Sequence, residues 1–184
     1  PESFDAGELE AFLSQRYGFQ TAFRRPDTLK GMIDGVKIDC IAHKYAYLRQ
    51  PYAESGIRLY SIEDIVAMKL SAIADDGSRL KDFVDIACLS TRIPFYEMLK
   101  CYERKFPQAN VIRPFKALTY FDDIDFGENI VMLNFEYDWK QIARRLKEMT
   151  VRQEHIFSQW PLKEQKLPVA EDKDTTSMKR GRKR

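Results

Sequence analysis

The sequence predicts an α+β fold in which a small mixed or antiparallel sheet precedes a helical region. The first sixty residues contain short extended stretches broken by turn dipeptides, whereas apolar residues after residue 61 recur at the helical spacing of about 3.6. We find no internal repeat in the sequence. This pattern divides the chain into residues 1–60 with the sheet, residues 61–160 with the helices, and residues 161–184 as a basic tail. We expect the tail to be disordered because it has few apolar residues to bury.

The first elements are a helix and a hairpin. Residues 4–17 have apolar side chains at helical spacing, and Gly18 is placed to end that helix. Residues 19–23 favour a short strand. The Asp-Gly dipeptide at 34–35 is a strong hairpin signal, and residues 36–42 after it alternate cleanly between two faces.

The second half of the chain predicts helices only. Ser61, followed three residues later by Asp64, resembles an N-cap pair and predicts the start of the first helix. The apolar patterns predict helices over residues 61–74, 80–90, 95–106, 111–121 and 138–157.

Composition narrows the class of protein. The 184 residues carry 30 Lys and Arg against 28 Asp and Glu, which excludes the charge excess of a histone-like protein. The cysteines Cys40, Cys88 and Cys101 are odd in number, form no CxxC and lie in apolar runs. We therefore expect reduced thiols in a cytoplasmic protein. No apolar stretch approaches the roughly 20 residues that span a bilayer, so we expect no membrane partner.

Lys69 departs from the apolar pattern of its helix. On a helical wheel it lies in the middle of an apolar stripe formed by Ile62, Ile65, Val66 and Ile73. An ammonium in that position must reach the surface or meet a carboxylate, because an unpaired buried charge costs several kcal/mol. Lys69 is thus either a structural ion-paired lysine or a functional cation.

Three aspartates are candidate site residues. Asp82 and Asp85 share one face of their predicted helix, and flanking apolar residues suggest that this face is partly dry. Two carboxylates there need a cation, either a lysine or a metal, although a solvated face is the alternative. Asp39 lies in the middle of a strand, where Asp is rare, and is our first candidate metal ligand. The alternative for Asp39 is an exposed sheet face with a cross-strand salt bridge.

Three segments of the sequence resemble the AbiEii/AbiGii nucleotidyltransferase-like toxin family of type IV toxin–antitoxin systems. They are GVKIDCI at 35–41, GIRLYSIEDIVAMKLSAI at 56–73 and KDFVDI at 81–86. The later segment ALTYFDD at 117–123 is also similar, and the resemblance spans about residues 5–150.

The resemblance implies a polymerase beta-like nucleotidyltransferase fold that binds an NTP with Mg²⁺ and transfers a nucleotide to an RNA, such as a tRNA, or to a protein acceptor. Asp39 matches the family's strand carboxylate, which binds metal or activates the acceptor. Lys69 matches the helix lysine at the triphosphate, and Arg79 is the nearest candidate for the family's arginine after that helix. Asp82 and Asp85 match the last acidic motif. A cognate antitoxin is the further partner implied.

The family's first motif, a Gly-rich turn followed by an Asp-x-Asp strand, is expected to precede residue 1. We therefore expect this chain to be incomplete and inactive by itself. Two rival hypotheses stay open. One is a degenerate, non-catalytic module of the same fold, and the other is an RNA-binding protein that uses its basic tail.

Overall fold

A computed structural model describes residues 3–127, 129–132 and 134–164. The helices of this part are α1 (Ala6–Tyr17), α2 (Ile62–Asp75), α3 (Leu80–Leu89), α4 (Phe95–Lys105), α5 (Ile112–Ala117) and α6 (Trp139–Val151). The strands are β1 (Gln20–Arg25), β2 (Thr28–Ile33), β3 (Val36–Ile41), β4 (Tyr52–Glu54), β5 (Ile57–Leu59), β6 (Phe135–Tyr137) and β7 (Leu162–Glu164). All strand pairs are antiparallel, which confirms the predicted α+β class.

The N-terminal part is a three-stranded sheet, in the order β1-β2-β3, covered on one face by α1. The predicted hairpin is confirmed: Asp34 and Gly35 both have positive φ, as the two-residue turn between β2 and β3 requires. Leu29 is fully buried beneath α1 beside Phe19. Gly31 permits this packing, because a Cβ there would lie 2.2 Å from the backbone oxygen of Gln20.

The helical part contains the larger hydrophobic core. Helix α2 packs against both α3 and α4, and α3 packs in turn against α6. The side chains of Leu70, Phe83, Met98, Tyr102 and Leu146 are at most 2% exposed and bring these four helices together. This arrangement fixes α2 and α3 side by side, and all the candidate site residues except Asp39 lie on these two helices or between them.

The structure corrects several sequence predictions. Helix α5 is shorter than expected, since the backbone after Ala117 turns with hydrogen bonds to carbonyls three residues earlier. Helix α6 is also shorter, because the buried Phe157 joins the core from an irregular segment whose backbone N–H donates to the Ser90 carbonyl. The β4–β5 hairpin and the antiparallel pairing of β6 with β7, which lie on either side of α6, were not predicted. The predicted tail, 161–184, begins with strand β7, and its residues 165–184 lie outside the described part of the chain.

The three cysteines are free thiols, as predicted. Burial is the main reason why the pKa of the Cys88 thiol is raised to about 12, and the charge of Asp85 adds to it. Among the described residues, no helix has both the length and the apolar character to cross a membrane.

Candidate functional site

Four charged side chains meet where α2 and α3 pack together, and we call them the Lys69 cluster: Lys69, Arg79, Asp82 and Asp85. The ammonium of Lys69 lies 2.7 Å from Asp82 Oδ1 and 2.6 Å from Asp85 Oδ2. Sequence spacing put the two aspartates on one face of α3, and the packing of α2 against α3 brings Lys69 onto that face. The cluster contains two cations and two carboxylates, so its formal charge is zero.

The members of the cluster differ in their access to water. The Asp82 side chain is 1% exposed, whereas the Lys69 side chain is 26% and the Asp85 side chain 47% exposed. Burial lowers the pKa of Lys69, but the hydrogen bonds to Asp82 and Asp85 raise it by more, so the net pKa lies above the ordinary value. Lys69 is therefore charged at neutral pH. The sequence left two interpretations of Lys69, a structural ion-paired lysine and a functional cation. The observed geometry is that of an ion-paired lysine.

Asp82 has one oxygen without a hydrogen bond to any described residue. Its Oδ1 accepts from Lys69, whereas its buried Oδ2 has no hydrogen-bond partner in the described residues. The Arg79 Nε lies 3.4 Å from that oxygen without hydrogen-bonding geometry. Asp82 is in the first turn of α3, where the helix dipole favours a negative charge. Both the dipole and the neighbouring cations thus compensate the buried carboxylate.

Asp39 lies on a different element, strand β3, opposite Lys30 of β2. In the described part of the chain its ion pair is with Lys37, at 3.5 Å. The exposed sheet face of the alternative interpretation is observed, but the salt bridge lies within β3 and does not cross between strands. No hydrogen bond or ion pair of the described residues joins Asp39 to the Lys69 cluster, so a shared site stays a prediction.

The carboxylates of Asp39 and Asp82 supply only part of the ligand set that a hard divalent cation needs. Carboxylate oxygens suit Mg²⁺, which in nucleotide sites takes one or two carboxylates and completes its shell with water and substrate phosphates. Asp39 offers one carboxylate, and the orphaned Oδ2 of Asp82 belongs to a second. Within the described ranges, however, no three His, Cys, Asp or Glu side chains are grouped for metal binding. A metal at Asp39 would therefore depend on ligands from the substrate.

A second charged group, which the sequence analysis missed, is completely buried. We call it the Asp64 clamp: Asp64 of α2 and Lys105 of α4 are both 0% exposed and 2.7 Å apart. Lys105 also donates to the Ala46 carbonyl. The Asp64 carboxylate accepts from three further donors, Leu48 N–H, Arg49 N–H and the Ser61 hydroxyl. The clamp thus fastens the segment 46–49 to α2 and α4.

Electrostatics favour the charged form of the clamp. Burial raises the pKa of the Asp64 carboxyl, but Lys105 and the surrounding N–H and O–H donors lower it by more, to about 2. The sequence signal that could have revealed the clamp is the same as for Lys69: a lysine within the apolar stripe of a helix. Lys105 follows Met98, Cys101 and Tyr102 at helical spacing, so it too lies in an apolar stripe.

Comparisons with known proteins bear on the family of this chain. The model of the family "Nucleotidyl transferase AbiEii toxin, Type IV TA system" matches residues 34–163, which confirms the resemblance drawn from the sequence motifs. The chain is also 27% identical over 148 residues to the uncharacterized protein aq_aa25 of Aquifex aeolicus (strain VF5). That similarity covers 78% of this chain and 70% of the relative. No solved structure matches the chain.

Proposed function

Since the chain belongs to the AbiEii nucleotidyl transferase toxin family of type IV toxin–antitoxin systems, we propose that it takes part in transferring a nucleotide from an NTP to a hydroxyl group of an RNA or protein acceptor. The single observation that supports this most is the Lys69 cluster. It gathers the helix lysine and both aspartates of the KDFVD segment at one point. Family membership also implies a cognate antitoxin as partner.

Lys69 would contact the triphosphate in this proposal. Because two carboxylates already neutralise its charge, a phosphate must replace one of them. Asp85 is the group to be replaced, since its side chain is half-exposed and water can solvate it, whereas Asp82 is buried. Asp82 then remains as the carboxylate that holds the ammonium in position. Arg79, half-exposed beside Asp82, would supply a second cation to the phosphates.

The proposal also assigns Mg²⁺ to the reaction, because the Lys69 cluster has no net positive charge to offset a triphosphate. A bound divalent cation supplies that positive charge and neutralises phosphate oxygens in phosphoryl-type chemistry. Asp39 is the residue proposed to hold it, or to orient the acceptor hydroxyl. Positioning and charge neutralisation account for most catalysis of this kind, and we assign these roles to Asp39, Lys69, Arg79 and Asp82 in the NTP half of the site.

A labelled-NTP assay tests the proposed function. Each of the four NTPs is incubated with RNA or protein acceptors and Mg²⁺, and label in the acceptor fraction is measured. Asp39→Asn should abolish transfer, whereas Glu103→Gln, which changes an exposed carboxylate of α4, should leave it unchanged. Equal activity of the two variants would remove Asp39 from the proposal.

A degenerate, non-catalytic module is the second candidate. The pairing of Lys69 with two carboxylates favours it, because a purely structural network would have the same geometry. Its signature would be the absence of transfer with every NTP, because both candidates predict a loss of stability when Lys69 is replaced.

A further inference from the structure

Helix α6 has an exposed face of one charge sign. Lys140, Arg144 and Lys147 fall within about 60° of one another on a helical wheel, opposite the buried Ile142 and Leu146. We call these three residues the α6 basic face. Arg144 has an ion pair with Glu148 at the long distance of 4.0 Å, and the Arg144 side chain is 74% exposed. Such a weak surface contact leaves the positive charge largely uncompensated.

Another amphipathic helix of the structure shows that this is not a general feature of its surface. The exposed side of α4 alternates in sign, and its Lys100 pairs with Glu97 at 3.1 Å. Both helices bury an apolar face in the same core, so burial does not require the basic composition of α6.

The α6 basic face is held rigidly. Arg145, on the same helix, points inward and donates to the Ser90 hydroxyl at 2.9 Å and to the Gln159 carbonyl at 2.8 Å. The Lys147 ammonium lies 5.6 Å from the centre of the Phe121 ring. Helix α6 therefore keeps a fixed position against α3, the helix that carries Asp82 and Asp85.

We propose that the α6 basic face binds the phosphodiester backbone of a nucleic acid. The three cations lie within eight residues of helix, a rise of about 10 Å, and one strand of a duplex carries about three phosphates over that length. Lysine and arginine in such a row contact phosphates without reading bases, so the binding is independent of sequence and sensitive to salt. The proposal concerns binding alone and does not depend on transfer at the Lys69 cluster.

The test is a salt-dependent titration with the full chain. Fluorescence anisotropy measures the binding of labelled RNA and DNA oligonucleotides of one sequence from about 50 to 200 mM salt. The triple variant Lys140→Gln, Arg144→Gln, Lys147→Gln should reduce the slope of log affinity against log salt by about 2–3, and the affinity at 100 mM salt by roughly tenfold or more. Binding of both nucleic acids supports contact with the shared backbone, and binding of RNA alone adds a contribution of the 2′-hydroxyl.

The matched control removes three exposed charges elsewhere: Arg16→Gln, Arg104→Gln, Lys116→Gln. This control variant should change the slope of log affinity against log salt by less than about 1. Equal effects of the two triple variants would overturn the proposal, and would assign the binding to net charge or to residues 165–184, which contain seven Lys and Arg. Binding to anionic vesicles but to neither oligonucleotide would also overturn it. Since Lys69→Met leaves the α6 basic face intact, retained oligonucleotide binding in that variant separates this proposal from the proposed transfer.

Discussion

Replacing Lys69 with Met removes the cation that joins Asp82 and Asp85 but keeps most of the side-chain volume. Losing one partner of a fully buried ion pair costs about 3–5 kcal/mol, because the other charge is stranded. Two features of the cluster reduce that figure. Asp85 is half-exposed and can be hydrated, and Arg79 stays 3.4 Å from Asp82 Oδ2. We therefore expect a loss of about 2–4 kcal/mol, above the loss of less than about 1 kcal/mol that an open phosphate site would give.

Thermal unfolding followed by circular dichroism measures this loss. For a chain of this size, about 2–4 kcal/mol corresponds to a Tm lower by roughly 5–15 °C. The double variant Lys69→Met, Asp82→Asn should recover at least half of the loss, because the stranded charge is gone. Lys116→Met, an exposed lysine of α5, is the control and should change the free energy of unfolding by less than about 0.5 kcal/mol. A Lys69→Met protein as stable as this control would refute the reasoning.

Three other predictions concern the buried groups of the fold. Because the folded-state pKa of Asp64 is about 2, below its ordinary value of 3.8, its stabilisation is complete above the ordinary value and disappears as the pH falls towards 2. Urea titrations between pH 6 and pH 2 should show a loss of roughly 2 kcal/mol from this group, and Asp64→Asn should lack it. Lys105→Met should lower the free energy of unfolding by about 3–5 kcal/mol, since the pair is fully buried, and a loss under about 1 kcal/mol would contradict this. Gly31→Ala should destabilise the sheet by about 1–3 kcal/mol through its clash with the Gln20 backbone, as amide hydrogen exchange in β1 and β2 would report.

The sequence was most informative where one residue broke a regular pattern. Lys69 interrupts an apolar stripe, so a carboxylate partner could be expected, and the helix-face spacing of Asp82 and Asp85 supplied it. The Asp34-Gly35 hairpin was predictable for a local reason, because its residue types favour the positive φ that the turn requires.

Long-range partners could not be predicted in this way. The Asp64 clamp joins residues 41 positions apart, and Asp64 alone has an ordinary local role beside the Ser61 cap. The β4–β5 hairpin had a usable signal in Ser55-Gly56, where both residues have positive φ, but its strands are only three residues long. The β6–β7 pairing depends on two segments far apart in sequence.

The position of Asp39 relative to the Lys69 cluster is a different case. The strand alternation fixed which face of β3 carries Asp39, and its register opposite Lys30 agrees with that face. Nothing in the periodicity of β3 or α2 specifies how two elements with separate hydrophobic cores approach one another. A common site for Asp39 and Lys69 therefore depends on the family motif order, and measurement must decide it.

The most direct test of the central claim, that the Lys69 cluster binds the triphosphate, is a calorimetric titration of NTP with Mg²⁺ at a temperature where circular dichroism shows every variant to be folded. We predict that Lys69→Met weakens NTP affinity tenfold or more, equivalent to at least about 1.4 kcal/mol, and that Lys116→Met leaves it unchanged. Asp85→Asn should not weaken binding, because the phosphate replaces that carboxylate at the lysine. Undiminished NTP binding by folded Lys69→Met would contradict the claim and leave Lys69 as an element of structure alone.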